Sequence, residues 1–131
     1  MDSADRLELH ELPGRYGDAI DDRAWDRLGD IFTDDAVFDL TDLGGPRCEG
    51  LAAIKEFMDS FDGHPKTHLM TNVYVDEHAD GAELRFRIVA MLSGGTMASA
   101  SYYDDVVKTA SGWRVVHRVV TRRRRPPTRD E

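Results

Sequence analysis

The stretch KTHLMTNVYVD, residues 66–76, sets a histidine, an amide and a phenol at every second position. Read as a strand, it places His68, Met70, Asn72 and Tyr74 on one face and Leu69, Thr71, Val73 and Val75 on the other. The second face is of core type. The first is either outer surface or the wall of a cavity that is part polar and part apolar. An imidazole on such a wall can serve as a general base. A second polar element is the run GWRVVHRVVTR at 112–122. Alternation there puts Arg114, Val116, Arg118, Val120 and Arg122 on one face, with Val115, His117, Val119 and Thr121 on the other. Arginines separated by valines predict a half-exposed face, and Asp104 and Asp105 are the acids expected to partner them. Arg122, near the strand end, could instead reach into a pocket and anchor an anionic group.

Other chemistry is thin. His10, His64, His78 and His117 have no metal-ligand spacing, so no metal is expected. Cys48 is the single cysteine and has no activating partner in view, which leaves no disulfide or cysteine cluster. No phosphate-binding glycine loop, zinc-protease helix, calcium loop or nucleophile elbow occurs, and no cofactor is expected. In DAIDDRAWDRL, residues 18–28, the apolar residues Ala19, Ile20, Ala24, Trp25 and Leu28 can cover a core. By periodicity alone the acids between them, Asp21 included, are helix-surface charge.

The elements that must position these residues follow from pattern. With 131 residues, 40% hydrophobic and 32% charged, the chain has the composition of one globular domain, expected over 1–124 with a flexible tail at 125–131. No apolar run approaches the ~18 residues that span a bilayer. The acidic start MDSADRLELH lacks a signal pattern, so a cytoplasmic protein without membrane contact is expected. The net charge of −8 is unevenly spread, with seven of the 17 basic residues lying in the last 18 positions. No recognition motif accompanies the arginines at 122–125, and an acidic body repels phosphate, so no nucleic-acid partner is expected.

Apolar spacings of three and four predict a helix over 3–21, N-capped by Ser3, with a kink or restart at Pro13–Gly14. A short helix over 23–32, a strand over 34–40 and a helix over 51–61 follow. Long strands over about 66–76, 82–93, 96–108 and 113–122 complete the chain through hairpin-type links. The order is α+β. A strongly bent sheet wrapped over helices makes a cone with one open mouth, a natural place for a small apolar ligand.

This order, together with YGDAIDDRAWDRLGDIFTDDAVFDL, KTHLMTN and GWRVVHRVVTR, resembles the SnoaL-like branch of the nuclear transport factor two-like superfamily over about residues 5–124. The resemblance implies a cone-shaped α+β barrel. Three N-terminal helices pack in a strongly curved, mostly antiparallel sheet, and copies are often paired as homodimers through the sheet. The motifs are most similar to dehydratase-type members: scytalone dehydratase, bile-acid 7α-dehydratase and hexachlorocyclohexane dehydrochlorinase. That similarity puts Asp21 at an aspartate between the first two helices and His68 at a histidine on the strand after the third. It makes Tyr16 a pocket tyrosine and Arg122 a C-terminal-strand arginine. Where those members place a second acid–base group, this chain reads RIVAMLSGG, with Ala90, Met91 and Ser93 at the candidate positions.

The function expected is that of a cofactor-independent lyase or isomerase of dehydratase or cyclase type. His68 would take a proton from an apolar cyclic, polyketide-like or steroid-like substrate, while Asp21 orients the imidazole and stabilises its charged form. Tyr16 or Tyr74 would donate to developing oxyanion charge. Asn72, Arg122, Trp25, Met70 and Met91 would complete a substrate-binding wall. The alternatives are a ligand-binding protein without catalysis and a dimeric interaction module of the same fold.

Overall fold

Leu9, Leu12, Tyr16, Ala19 and Ile20 recur at helical spacing, and in the computed structural model, which describes residues 1–124, they form the buried face of one unbroken helix, α1 (Ser3–Asp21). The tail expected over 125–131 lies outside the described residues. Pro13 sits inside α1 without splitting it. The missing N–H costs one helical hydrogen bond, but Pro13 is itself buried with the same apolar face, which holds the helix through that point. The cap is Asp2, not Ser3. Asp2 accepts from the Asp5 N–H at 2.8 Å, and the Asp5 carboxylate accepts from the Asp2 N–H at 3.2 Å. Such a reciprocal box needs an acid three residues past the cap, and only Asp2 has one.

Arg23, at φ 56°, turns the chain out of α1. The helix expected over 23–32 is a 3₁₀ helix, Trp25–Asp30, with Leu28 as its one buried residue. Strand β1 (Phe32–Asp39), the short β2 (Arg47–Glu49) and helix α2 (Leu51–Ser60) follow, then β3 (Thr67–His78), β4 (Gly81–Met91), β5 (Met97–Thr109) and β6 (Gly112–Arg122). Strand β2 is too short to leave a period in the sequence. The sheet runs β2-β1-β6-β5-β4-β3, antiparallel except where β1 lies parallel to β6. The result is an α+β fold with helices packed on one face of a curved mixed sheet. Among the described residues no helix is long and apolar enough to cross a membrane.

Two irregularities overturn the expected faces. In β3 the register to β4 shifts between Thr71 and Tyr74, and Asn72 takes φ 53°. A one-residue insertion exchanges the two faces of everything beyond it. His68 and Met70 therefore point inward, and past the bulge Val73 and Val75 do. Leu69, expected in the core, is 52% exposed, and Tyr74 is on the outside. In β6 the register to β5 shifts between Asp105 and Val106. The inward set becomes Val115, Arg118 and Val120, so the half-exposed arginine face does not form.

Arg118 is instead the centre of the core. Its guanidinium makes two hydrogen bonds to Asp104, at 2.7 and 2.8 Å, and both side chains are within 1% of complete burial. Asp104 is thus the expected partner, in an unexpected place. The guanidinium carbon lies 4.1 Å from the Tyr16 ring centroid and within 5.5 Å of those of Phe32, Phe38, Phe86 and Tyr102. These rings come from α1, β1, β4 and β5, so one cation is shared by most of the fold. Burial pushes the Asp104 carboxyl up against the pull of Arg118. Burial also opposes the charge on Arg118, but the field and hydrogen bonds of Asp104 outweigh it and hold the guanidinium protonated.

Removing one member of a buried ion pair leaves the other charge unpaired, at a typical cost of about 3–5 kcal/mol. Asp104→Asn is expected to lose stability on that scale in urea unfolding. Replacing both residues by apolar ones of similar volume is expected to cost much less. A wild-type unfolding midpoint for Asp104→Asn would show that the pair is not what the core rests on.

Candidate active site

Asp21 is the last residue of α1, and its carboxylate faces the start of β3. One oxygen lies 2.6 Å from His68 Nδ1, and the other accepts the His68 backbone N–H at 3.0 Å. Both oxygens are thereby fixed by the same residue, one through the ring and one through the chain. A carboxylate only accepts, so Nδ1 carries a proton, and in the neutral ring the lone pair is on Nε2. Gly17, one turn earlier on α1, lets the helix approach: a Cβ there would stand 2.8 Å from Met70 Cε and 3.9 Å from His68 Cβ.

His68 opens onto a cavity of about 810 Å³. Ile20, Phe38, Phe57, Ile88 and Leu92 supply much of its apolar wall, with Tyr16, Tyr102, His64 and His68 as polar groups and Arg122 and Arg123 at one end. Asp21 does not line it; the carboxylate sits behind the imidazole. Burial pushes the phenols of Tyr16 and Tyr102 above their ordinary value, so both remain protonated donors.

Of the residues singled out by sequence, Asp21, His68, Tyr16 and Arg122 come together here. The other five are elsewhere. Asn72 and Tyr74 line a separate, shallow depression with Arg85 and Tyr103, because the bulge in β3 turned them outward. Met91 is 44% exposed at the end of β4. Met70 faces inward but is taken up by packing against Gly17 and the core. Trp25 donates from Nε1 to Asp59 at 3.1 Å and packs against His64, with ring centroids 5.2 Å apart and the planes tilted by 39°. At the β4 positions, Ala90 lines the cavity, while Met91 and Ser93 do not.

His64 and Tyr102 are cavity residues that sequence reasoning passed over. His64 lies in the linker between α2 and β3, where no periodicity assigns a direction. Its Nε2 donates to the Met58 carbonyl at 2.7 Å, and its ring is flanked by Trp25 and Phe61. Tyr102 was hidden by its place in an alternating strand whose inward face could not be told from the outward one. The pattern HPKTH, with two histidines flanking a strand start, was the available signal for His64.

The family model of the SnoaL-like domain matches residues 1–119. An uncharacterised protein of Mycobacterium tuberculosis is 33% identical over 130 residues, covering 91% of this chain and 86% of its own. Among solved structures, a candidate aromatic ring hydroxylase from Novosphingobium aromaticivorans superposes with TM-score 0.79 at 28% identity, covering 93% of this chain and 91% of that one. A nuclear transport factor two-like protein with a cystatin-like fold from the same organism gives TM-score 0.77 at 25% identity, covering 91% and 82%.

Burial, ahead of the opposing bond to Met58, holds His64 below the ordinary imidazole value. The unfolded chain takes up this proton near pH 6.5 and the folded chain only lower. Stability contributed by neutral His64 is therefore complete above about pH 6.5 and is lost as the pH falls towards the folded value. Thermal unfolding across that window is expected to show a flatter pH slope in His64→Phe. An unchanged slope would mean that His64 titrates alike in both states.

Proposed function

The chain belongs to the SnoaL-like family, and from that premise we propose that its cavity performs a cofactor-independent proton abstraction of lyase or isomerase type on a small apolar cyclic substrate. The observation that carries this reading is the double hydrogen bond from Asp21 to His68, which leaves the Nε2 lone pair on a cavity of ligand size. His68 is the general base. It takes a proton from carbon next to, or vinylogous with, a carbonyl, or beta to a leaving group. The electron pair released then moves onto the carbonyl oxygen or expels the leaving group.

Asp21 is the positioning residue. It fixes the tautomer and offsets the charge that appears on the ring when Nε2 is protonated. Tyr16, a protonated phenol on the same wall, is placed to donate to developing oxyanion charge. The apolar wall excludes water and strengthens each of these interactions. The same reading carries a homodimer through the outer face of the sheet, where Leu69, Tyr74 and Met97 are exposed.

A second reading is binding without turnover. The observation that favours it is Ala90, which occupies the β4 wall where an acid–base side chain would complete a dehydratase-type site.

A panel of cyclic ketones, hydroxylated rings and halogenated rings, scored for solvent-deuterium exchange and elimination, separates the two readings. His68→Ala is expected to lose about 10²–10⁴-fold in rate, the usual contribution of general base catalysis. Asp21→Asn should fall between His68→Ala and the unsubstituted chain, because an amide can donate as well as accept and no longer dictates the tautomer. Full activity in His68→Ala would remove the base. A ligand that binds saturably and leaves unchanged, with no exchange, would favour the second reading.

A further inference from the structure

The wall of the cavity carries charge of one sign only. Among the described residues that line it there is no aspartate or glutamate, whereas Arg122 lines it, as does Arg123, which is shared with the outer depression. This runs against the composition of the chain, which has 25 acids to 17 basic residues. Asp42, the carboxylate bonded to the end of β6, is already occupied. It accepts the Arg122 backbone N–H at 2.8 Å and an Arg124 N–H at 2.9 Å. Those bonds tie the end of β6 to the turn at Thr41–Leu43 and use the backbone of Arg122, not its side chain. Among the described residues the Arg122 guanidinium makes no ion pair or hydrogen bond. The Arg123 guanidinium is turned to the outer depression, where it donates to Ser101 Oγ at 3.4 Å. A guanidinium has five donors, so among the described residues the hydrogen-bonding capacity of the Arg122 side chain remains for something else.

Deepening the reading above, and resting on its placement of the substrate in this cavity, we infer that the ligand is an organic anion: an apolar ring body bearing a carboxylate, held at the rim by Arg122. The planar fork of arginine matches a carboxylate with two parallel hydrogen bonds, and a pair of them gives orientation as well as affinity. With the carboxylate at the rim, the ring body lies between Phe38, Phe57 and Ile88 and presents its carbons to His68. The acidic body of the chain repels an anion at long range, so the attraction must come from the Arg122 side chain.

The test is calorimetric titration with 2-naphthoate and with its neutral methyl ester, which share a ring body and differ in charge. The acid is expected to bind at least about tenfold more tightly, the equivalent of roughly 1.4 kcal/mol. The preference should narrow as ionic strength rises, since the rim is exposed and screened by salt. It should fall to about parity in Arg122→Gln. Arg123→Gln and Arg87→Gln, which remove arginines of the outer depression, should leave it unchanged. Equal or tighter binding of the ester, a preference that survives Arg122→Gln, or an equal loss in Arg123→Gln or Arg87→Gln would each overturn the inference. Repeating the titration in His68→Ala keeps it apart from the catalytic reading. There the preference should persist although proton abstraction is gone, and its loss would assign the anion to His68 instead of Arg122.

Discussion

A guanidinium with no access to water must be satisfied by the protein around it, and the fold is arranged about that requirement at Arg118. Asp104 answers the charge on the adjacent strand with two short hydrogen bonds, and five aromatic rings answer the faces and edges of the cation. One nitrogen, Nη1, is buried without a partner. A pair of this kind adds little net stability compared with apolar residues of the same volume, yet it is costly to break. Its consequence here is geometric. Tyr16 from α1, Phe38 from β1 and Tyr102 from β5 are drawn onto one centre, and these same three side chains line the inner wall of the cavity.

The second constraint is the approach of α1 to β3. Gly17 removes the side chain that would hold them apart, and Asp21, four residues on, lands on the same helical face against His68. The carboxylate grips the strand through the backbone N–H as well as the ring, so the imidazole is fixed in rotation and in position.

The two ends of the cavity differ in their access to solvent. The His68 side chain is nearly buried, so its hydrogen bond to Asp21 lies in a low dielectric. Arg122 is exposed, so its charge is screened by salt. His64 adds a second imidazole on the wall, kept neutral by burial and pinned to a carbonyl, so it offers a lone pair and no charge.

Much of this was legible in the sequence. The apolar spacing over residues 3–21, the strand lengths and the hairpin links gave the α+β order. The motifs around Asp21 and His68 placed both residues before any distance was known. Local periodicity determines such things because each element carries its own repeat. Only the tertiary structure decided which face of a strand is inside. The bulges at Asn72 in β3 and at the β5–β6 pairing exchange the two faces, and no local repeat reports an inserted residue. Hence Tyr74 left the site, Leu69 left the core, and Arg118 moved from an expected surface to the centre of the protein. His64, on a linker without a period, and Tyr102, on a strand whose inward face was undetermined, joined the cavity for the same reason: the position of a side chain in space is set by register and packing between distant segments, which the sequence carries only in sum.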